Sequence, residues 1–498
     1  MHPGPRIDYV LNSLLTICSI EESTMPPRVR QEPAAGARAV DEFGRIESRG
    51  IDHIPEADRH GRPRELFAVW LASNTTYLYI LLGGALVVLG LSPAQAFGVL
   101  LLGNLFWALV GTLAISGPAS GTPGSIVTRA MYGVRGNRVV GAGINWLTCI
   151  AYEGLNLAVG SLAGFALVES AGVHATVAVK VMVAAAIGLA TFALSLYGHA
   201  TIVRFSSFFT VALGGCVLVL GGFVVTRASA QPAGFTPLHG TALWVAVFTG
   251  FTLIAAAPLS WGNGADYARY LPADCSRWRV ALFTAGGGWL AAMVLGGIGI
   301  LAGTVVDMTD PQETMRAILP PWFYTVFLLA LVCGSITNNV LTTYSSGLCL
   351  QSLGVGASRA RTVVIDAVLG GALCAYALAA STFLGTMSDL LALTVTFLGP
   401  LLAIYATDIA LRRNRYDGPA LHDERPGGPF WYRNGVNWAG TSALLAGTAA
   451  AALCVNTKVF TGPVASALAG ADVCTIAGPL VAVVVYVLAG RRRVVTAR

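Results

Sequence analysis

The feature that most constrains this chain is the recurrence of apolar stretches about 20 residues long, from residue 66 to residue 488, with only short polar interruptions. A hydrocarbon core of roughly 30 Å is crossed by a helix of about 20 apolar residues, because every backbone N–H and C=O must be satisfied inside the segment. Only 11% of the 498 residues are charged and 55% are hydrophobic, against roughly a quarter charged in a soluble domain. The expected class is therefore an all-α polytopic membrane protein. The periodicity predicts twelve spans near 66–90, 94–115, 139–168, 175–196, 202–225, 242–261, 281–305, 323–351, 363–382, 390–411, 438–455 and 473–488.

The charges that remain carry topology. With the N-terminus inside, the even-numbered connections hold Arg129, Arg135 and Arg138, then Arg204, then Arg269, Arg277 and Arg279, then Arg359 and Arg361, then Arg412, Arg413, Arg415, Arg425 and Arg433. The odd-numbered ones hold mainly Arg227, Arg316 and Lys458. Cytoplasmic loops are enriched in Lys and Arg, so both termini are expected in the cytoplasm of a cell with this chain in its inner membrane. The formal net charge is +6, but it lies in short clusters between spans and forms no continuous basic face, so nucleic acid is not an expected partner. The expected partners are the lipid bilayer and a small-molecule substrate, and the sequence does not specify an oligomeric state.

Residues 1–65 read as a cytoplasmic tail, with 25–63 too polar to fold alone. The mildly apolar stretch 9–20 is too short to span and is followed by Glu21 and Glu22, which makes it a poor signal peptide and leaves Met25 as a second candidate start. A ten-helix core at 66–411, a cytoplasmic loop at 412–437, two peripheral helices at 438–490 and a cytoplasmic tail at 491–498 complete the organisation. The nine cysteines are scattered without CxxC spacing, so neither a disulfide nor a metal centre is implied. No cofactor is expected. An intramembrane enzyme would need paired carboxylates, a His cluster or a nucleophile with its base at mid-depth, and no such triad appears.

Two spans carry interruptions. The first contains Ser73-Asn74-Thr75-Thr76, and the sixth contains Pro258-Leu259-Ser260-Trp261-Gly262-Asn263-Gly264. Breaks at corresponding places in two halves mark discontinuous helices at a substrate site, although small polar residues also serve as helix-packing surfaces.

Five stretches then carry a family resemblance: Asp266-Tyr267-Ala268-Arg269-Tyr270-Leu271-Pro272; the lead-in Glu47-Ser48-Arg49-Gly50-Ile51 running to Trp70; 118–136, with Arg129 and Tyr132-Gly133; an aromatic and an Asn four residues apart in the third span; and Asn338-Asn339 followed by Tyr344-Ser345-Ser346-Gly347-Leu348. From about residue 47 to 412 the chain resembles the purine-cytosine permeases of the nucleobase-cation symporter family. The resemblance implies a LeuT-like arrangement of inverted five-helix repeats plus two peripheral helices, and import of a nucleobase such as cytosine or a purine with a cation. Allantoin, hydantoins and certain vitamins are the alternative substrates it allows. A channel or receptor on the same scaffold is a further alternative.

A flat heterocycle needs an aromatic face and amides along its edge. Tyr152 and Asn156 lie one turn apart on one helix face and supply both; packing and an interhelical bond are their structural alternative. The resemblance usually has Trp where Tyr152 stands. It places a second aromatic in the sixth span, where Trp261 is the candidate and Ser260 the strict positional match. Asn338 and Asn339 point about 100° apart, so one can face substrate while the other holds a neighbouring helix. Thr342 stands where the resemblance has a third Asn, and Ser73 marks the first break. For coupling, two sets stand: Glu153, the acid in the middle of the third span, for a proton; or Ser335 and Thr337 with carbonyls near Ala72 and Thr75 for sodium. A structural bond is the alternative for Glu153. Asp266 and Arg269 could form an inner gate against a loop at 131–137, or simply set topology.

Overall fold

A computed structural model describes residues 49–494 apart from 198, 233, 309–310 and 380–382. The stretch 9–20, Met25, Cys18, Glu47, Ser48 and residues 495–498 lie outside the described residues.

The chain forms α1 (Pro63–Asn74), α2 (Tyr77–Val88), α3 (Pro93–Ser120), α4 (Val134–Ser170), α5 (Val177–Ser195), α6 (Thr201–Val225), α7 (Gly240–Leu259) and α8 (Gly264–Ala268). It continues with α9 (Arg277–Ala302), α10 (Pro321–Ser352), α11 (Arg359–Ala379), α12 (Asp389–Leu411), α13 (Trp438–Cys454) and α14 (Cys474–Val494). Among the described residues nine helices are long and apolar enough to cross a membrane, ten if α1 and α2 count as one bent span. The twelve spans expected from the sequence also take in α13 and the apolar part of α14, which are shorter than those.

The helices sort into two packed groups. Helices α1, α2, α3, α7 and α9 lie against one another, while α4 packs along α10 and α11, with α5 against α10. Helices α12, α13 and α14 pack together at the side. Close approach explains the first group: a Cβ on Gly299 of α9 would lie 2.1 Å from the Ile80 carbonyl oxygen of α2, so only glycine fits there. Leu189, Val211, Leu218 and Leu488 are exposed, as side chains facing lipid should be.

Residues 49–62 do not behave as a loose tail. Ile54 is buried and its N–H donates to the Gly121 carbonyl, Arg59 donates to the Ile54 and Pro118 carbonyls, and the His60 N–H donates to the Tyr270 carbonyl. The 412–437 loop is likewise folded onto the core, through Arg129 to Glu424 at 2.6 Å and the Tyr432 hydroxyl to the Ala130 carbonyl.

Both expected breaks are present. Between α1 and α2 the axis bends by 61°, with Thr75 and Thr76 outside helical geometry. Between α7 and α8 the helix ends at Leu259, one residue beyond Pro258, whose missing N–H removes a bond from the last turns of α7, and it restarts at Gly264.

Candidate substrate site

A narrow cavity of about 20 Å³ lies where the two breaks meet α4 and α10. Its aromatic walls are Tyr152, Trp261 and Tyr79, and its polar edge includes Asn74, Asn156, Asn263, Asn338 and Thr342. Both Ser260 and Trp261 reach it, so the sixth span contributes the two adjacent residues the sequence offered as rivals.

The polar groups are tied in a chain. The Asn156 side-chain amide donates to Asn338 Oδ1 at 2.7 Å, and Asn338 Nδ2 donates to the Ser73 carbonyl at 2.6 Å. Thr342 Oγ1 donates to the Asn338 carbonyl at 3.2 Å. Asn74 Oδ1 accepts from both Tyr79 (3.0 Å) and Trp261 Nε1 (3.1 Å), and the Tyr152 hydroxyl donates to the Ala256 carbonyl. Asn263 Oδ1 and Thr76 Oγ1 line the cavity with no protein partner, the condition in which a buried polar atom gains most from a ligand.

Several expected residues stand elsewhere. Asn339 turns from the cavity and donates to the Glu153 carbonyl at 3.0 Å, taking the helix-holding role. Ser73 contributes its backbone carbonyl, while its hydroxyl donates to the Trp70 carbonyl. Ser335 faces Gly160 of α4, and Thr337 bonds the Cys333 carbonyl beside α6, so neither turns toward the first break. Gly334 does: a Cβ there would lie 2.5 Å from the Thr75 carbonyl oxygen, so α10 and the break meet backbone to backbone. Glu153 is fully buried on the far side of α4, toward Gly370 of α11.

Asp266 and Arg269, the candidate gate or topology-setting pair, are buried. Asp266 accepts from the Gly124 N–H at 2.8 Å, and Arg269 donates to the Gly50 carbonyl and the Tyr344 hydroxyl. Residues 131–137 pack against 435–440. What closes the cavity toward the α1 N-terminus is aromatic: Trp70 sits edge-on to Trp261 (5.1 Å), Trp107 (5.7 Å) and Tyr267 (5.5 Å), and Tyr267 packs on Tyr344.

A family model described as permease for cytosine/purines, uracil, thiamine and allantoin matches residues 53–476. The chain belongs to this permease family. A Bacillus subtilis (strain 168) relative named as a purine-cytosine permease, YxlA, is 24% identical over 472 residues, covering 89% of this chain and 95% of its own. Among solved structures, the permease is similar to Mhp1, a nucleobase-cation-symport-1 family transporter, in a closed conformation with bromovinylhydantoin bound, with TM-score 0.69 and 17% identity over 91% of this chain and 96% of that one. The inward-facing conformation of Mhp1 gives 0.67 at 16% identity. A manganese transporter of Eremococcus coleocola follows at 0.51 and 13%, over 89% of this chain and 98% of its own. The permease thus has the LeuT-like fold, with its cavity at the two broken spans.

Missed by the sequence reading were Asn74, Thr76, Tyr79, Thr148, Cys149 and Asn263 as lining residues, and Trp70, Tyr267 and Tyr344 as the plug. Asn74, Thr76 and Asn263 belong to the two interrupted segments, so the polar interruptions themselves were the available signal.

Proposed function

We propose that this permease imports a nucleobase such as cytosine or a purine together with a cation, by exposing the cavity alternately to the two sides of the inner membrane, with both termini cytoplasmic. The observation that carries the reading is the cavity's composition: the aromatic side chains of Tyr152 and Trp261 with the amides of Asn156, Asn263 and Asn338 beside them. Aromatic rings offer a π face to a planar heterocycle, and amides offer a donor and an acceptor each to its edge. Arginine clusters on one set of connections support the orientation. We assign no catalytic step to it. The coupling ion is a proton or sodium.

A second reading, a hydantoin, allantoin or vitamin carrier, is favoured by the bromovinylhydantoin held by the similar Mhp1 structure. Uptake of radiolabelled cytosine, adenine, hypoxanthine and uracil by cells expressing the protein separates the two. Accumulation of one base, abolished by Asn156→Ala with membrane insertion intact, is the expected result. No accumulation of any base by correctly inserted protein refutes the nucleobase reading and moves the test to allantoin and hydantoins.

A further inference from the structure

Behind the cavity, α4, α10 and α11 enclose a second polar cluster. Glu153 of α4 and Asp366 of α11 are both 0% exposed. Asp366 Oδ1 accepts from Trp146 Nε1 at 3.3 Å. The hydroxyls of Thr343 and Ser346 on α10, also fully buried, face Glu153 and Asp366 respectively. A Cβ on Gly370 would lie 3.4 Å from Glu153 Oε2, and Asp366 precedes Gly370 by one turn on the same face of α11, so the two carboxyls share one interface.

The groups facing the pair are Cys149 and Trp146 from α4, Thr343, Ser346 and Cys349 from α10, and Arg359 from α11. Arg359 is the cation among them, and its guanidinium also donates to the Tyr344 and Ser195 carbonyls and lies 4.9 Å over the Tyr344 ring. Two carboxylates against one guanidinium leave one negative charge in a buried helix interface, which one proton cancels. At the first break the Ser73 carbonyl is already taken by Asn338, and Gly334 presses on the Thr75 carbonyl, so that region offers a cation little.

We infer that Glu153 and Asp366 form a one-proton site that couples transport to the proton gradient. A carboxylate oxygen takes H⁺ from water on one side, forming an O–H bond, and returns it to water on the other. Asp366 stands nearer the α11 N-terminus and Glu153 one turn deeper. The link to cargo is short: Asn339 of α10 holds the Glu153 carbonyl, and the adjacent Asn338 and Tyr152, about 100° around the same two helices, line the cavity. This inference rests on the symport reading above for its cargo.

Two measurements test it separately from the cargo. Infrared spectra of purified protein at neutral pH should show a protonated carboxyl band that disappears on alkalinisation and is absent from both Glu153→Gln and Asp366→Asn. In proteoliposomes, a one-unit inward proton gradient should sustain up to about tenfold accumulation of a neutral base at one proton per base, without sodium. Either variant should lose that accumulation while substrate exchange at equal pH continues, since exchange moves no net proton. Absence of the band, sodium-driven uptake without proton entry, or full gradient-driven uptake by either variant overturns the inference. A band that behaves as expected in a protein that carries no base leaves the proton site standing and sinks the nucleobase reading.

Discussion

Asn338→Ala removes the residue that joins three helices at the cavity. It deletes the donor to the Ser73 carbonyl and the acceptor for the Asn156 amide, and Ser73 and Asn156 are 0% and 2% exposed. Each buried partner left unpaired costs about 1–3 kcal/mol, so the structure sets a range of about 2–6 kcal/mol. The cavity is adjacent and water can reach the orphaned groups, which puts the expected cost at about 2 kcal/mol, or roughly 30-fold in substrate affinity. The assay is binding of the transported base to purified protein, with melting temperature in the absence of ligand as the second readout. Because Asn156 acts through Asn338, the Asn156→Ala, Asn338→Ala double variant should lose less than the sum of the singles by at least about 0.5 kcal/mol. Additive losses, or an Asn338→Ala protein within roughly threefold of wild type in affinity and unchanged in melting, would refute the shared-bond reasoning.

Gly334→Ala places a methyl group against the Thr75 carbonyl and should reduce uptake about tenfold with insertion unimpaired, since overpacking of this kind costs roughly 1–3 kcal/mol; Gly188→Ala in α5, with open space around it, is the matched control and should transport normally. Trp261→Phe keeps an aromatic face and loses the N–H to Asn74, which still has Tyr79, so affinity should fall only about fivefold, for a loss near 1 kcal/mol; Trp261→Ala should do far worse, and equal losses would mean the ring itself does not contact substrate. Burial, with Arg59 beside it, lowers the His53 pKa from its ordinary 6.5, so the 49–62 segment is fully held above that value and loosens as pH falls through the lowered one. Proteolysis at 49–62 should therefore rise on acidification in wild type and not in His53→Gln, and a pH-independent rate would refute this.

The fold was legible because lipid leaves one solution per span, and the two breaks because Ser73-Asn74-Thr75-Thr76 and Pro258 to Gly264 interrupt otherwise apolar runs. Legible too were Tyr152 and Asn156, one turn apart, and Asn338, whose bond to Asn156 joins their helices. What went astray was helix phase. Stepping four residues from Asn338 leads to Thr342 and back to Gly334, the face that meets the cavity and the break, while Thr337 lies about 100° to one side and Ser335 about 60° to the other. Their hydroxyls drew attention that the glycine at the right phase did not. Asp366 passed unnoticed because a lone acid in a span shows its partner only when another helix is laid against it, and Arg359 because a basic residue at a span end reads as topology. Asp266 and Arg269 looked solvated for the same reason, since the lead-in and 118–124 segments that bury them have no periodic signature.

The contact between Gly334 and the Thr75 carbonyl governs how the two helix groups can part. An interface of long side chains yields by degrees, as rotamers turn and fill the widening gap. Backbone resting on backbone has no such slack, so the contact is either seated or lost. It works as a detent rather than a spring, giving the break a defined resting position from which it leaves in one step.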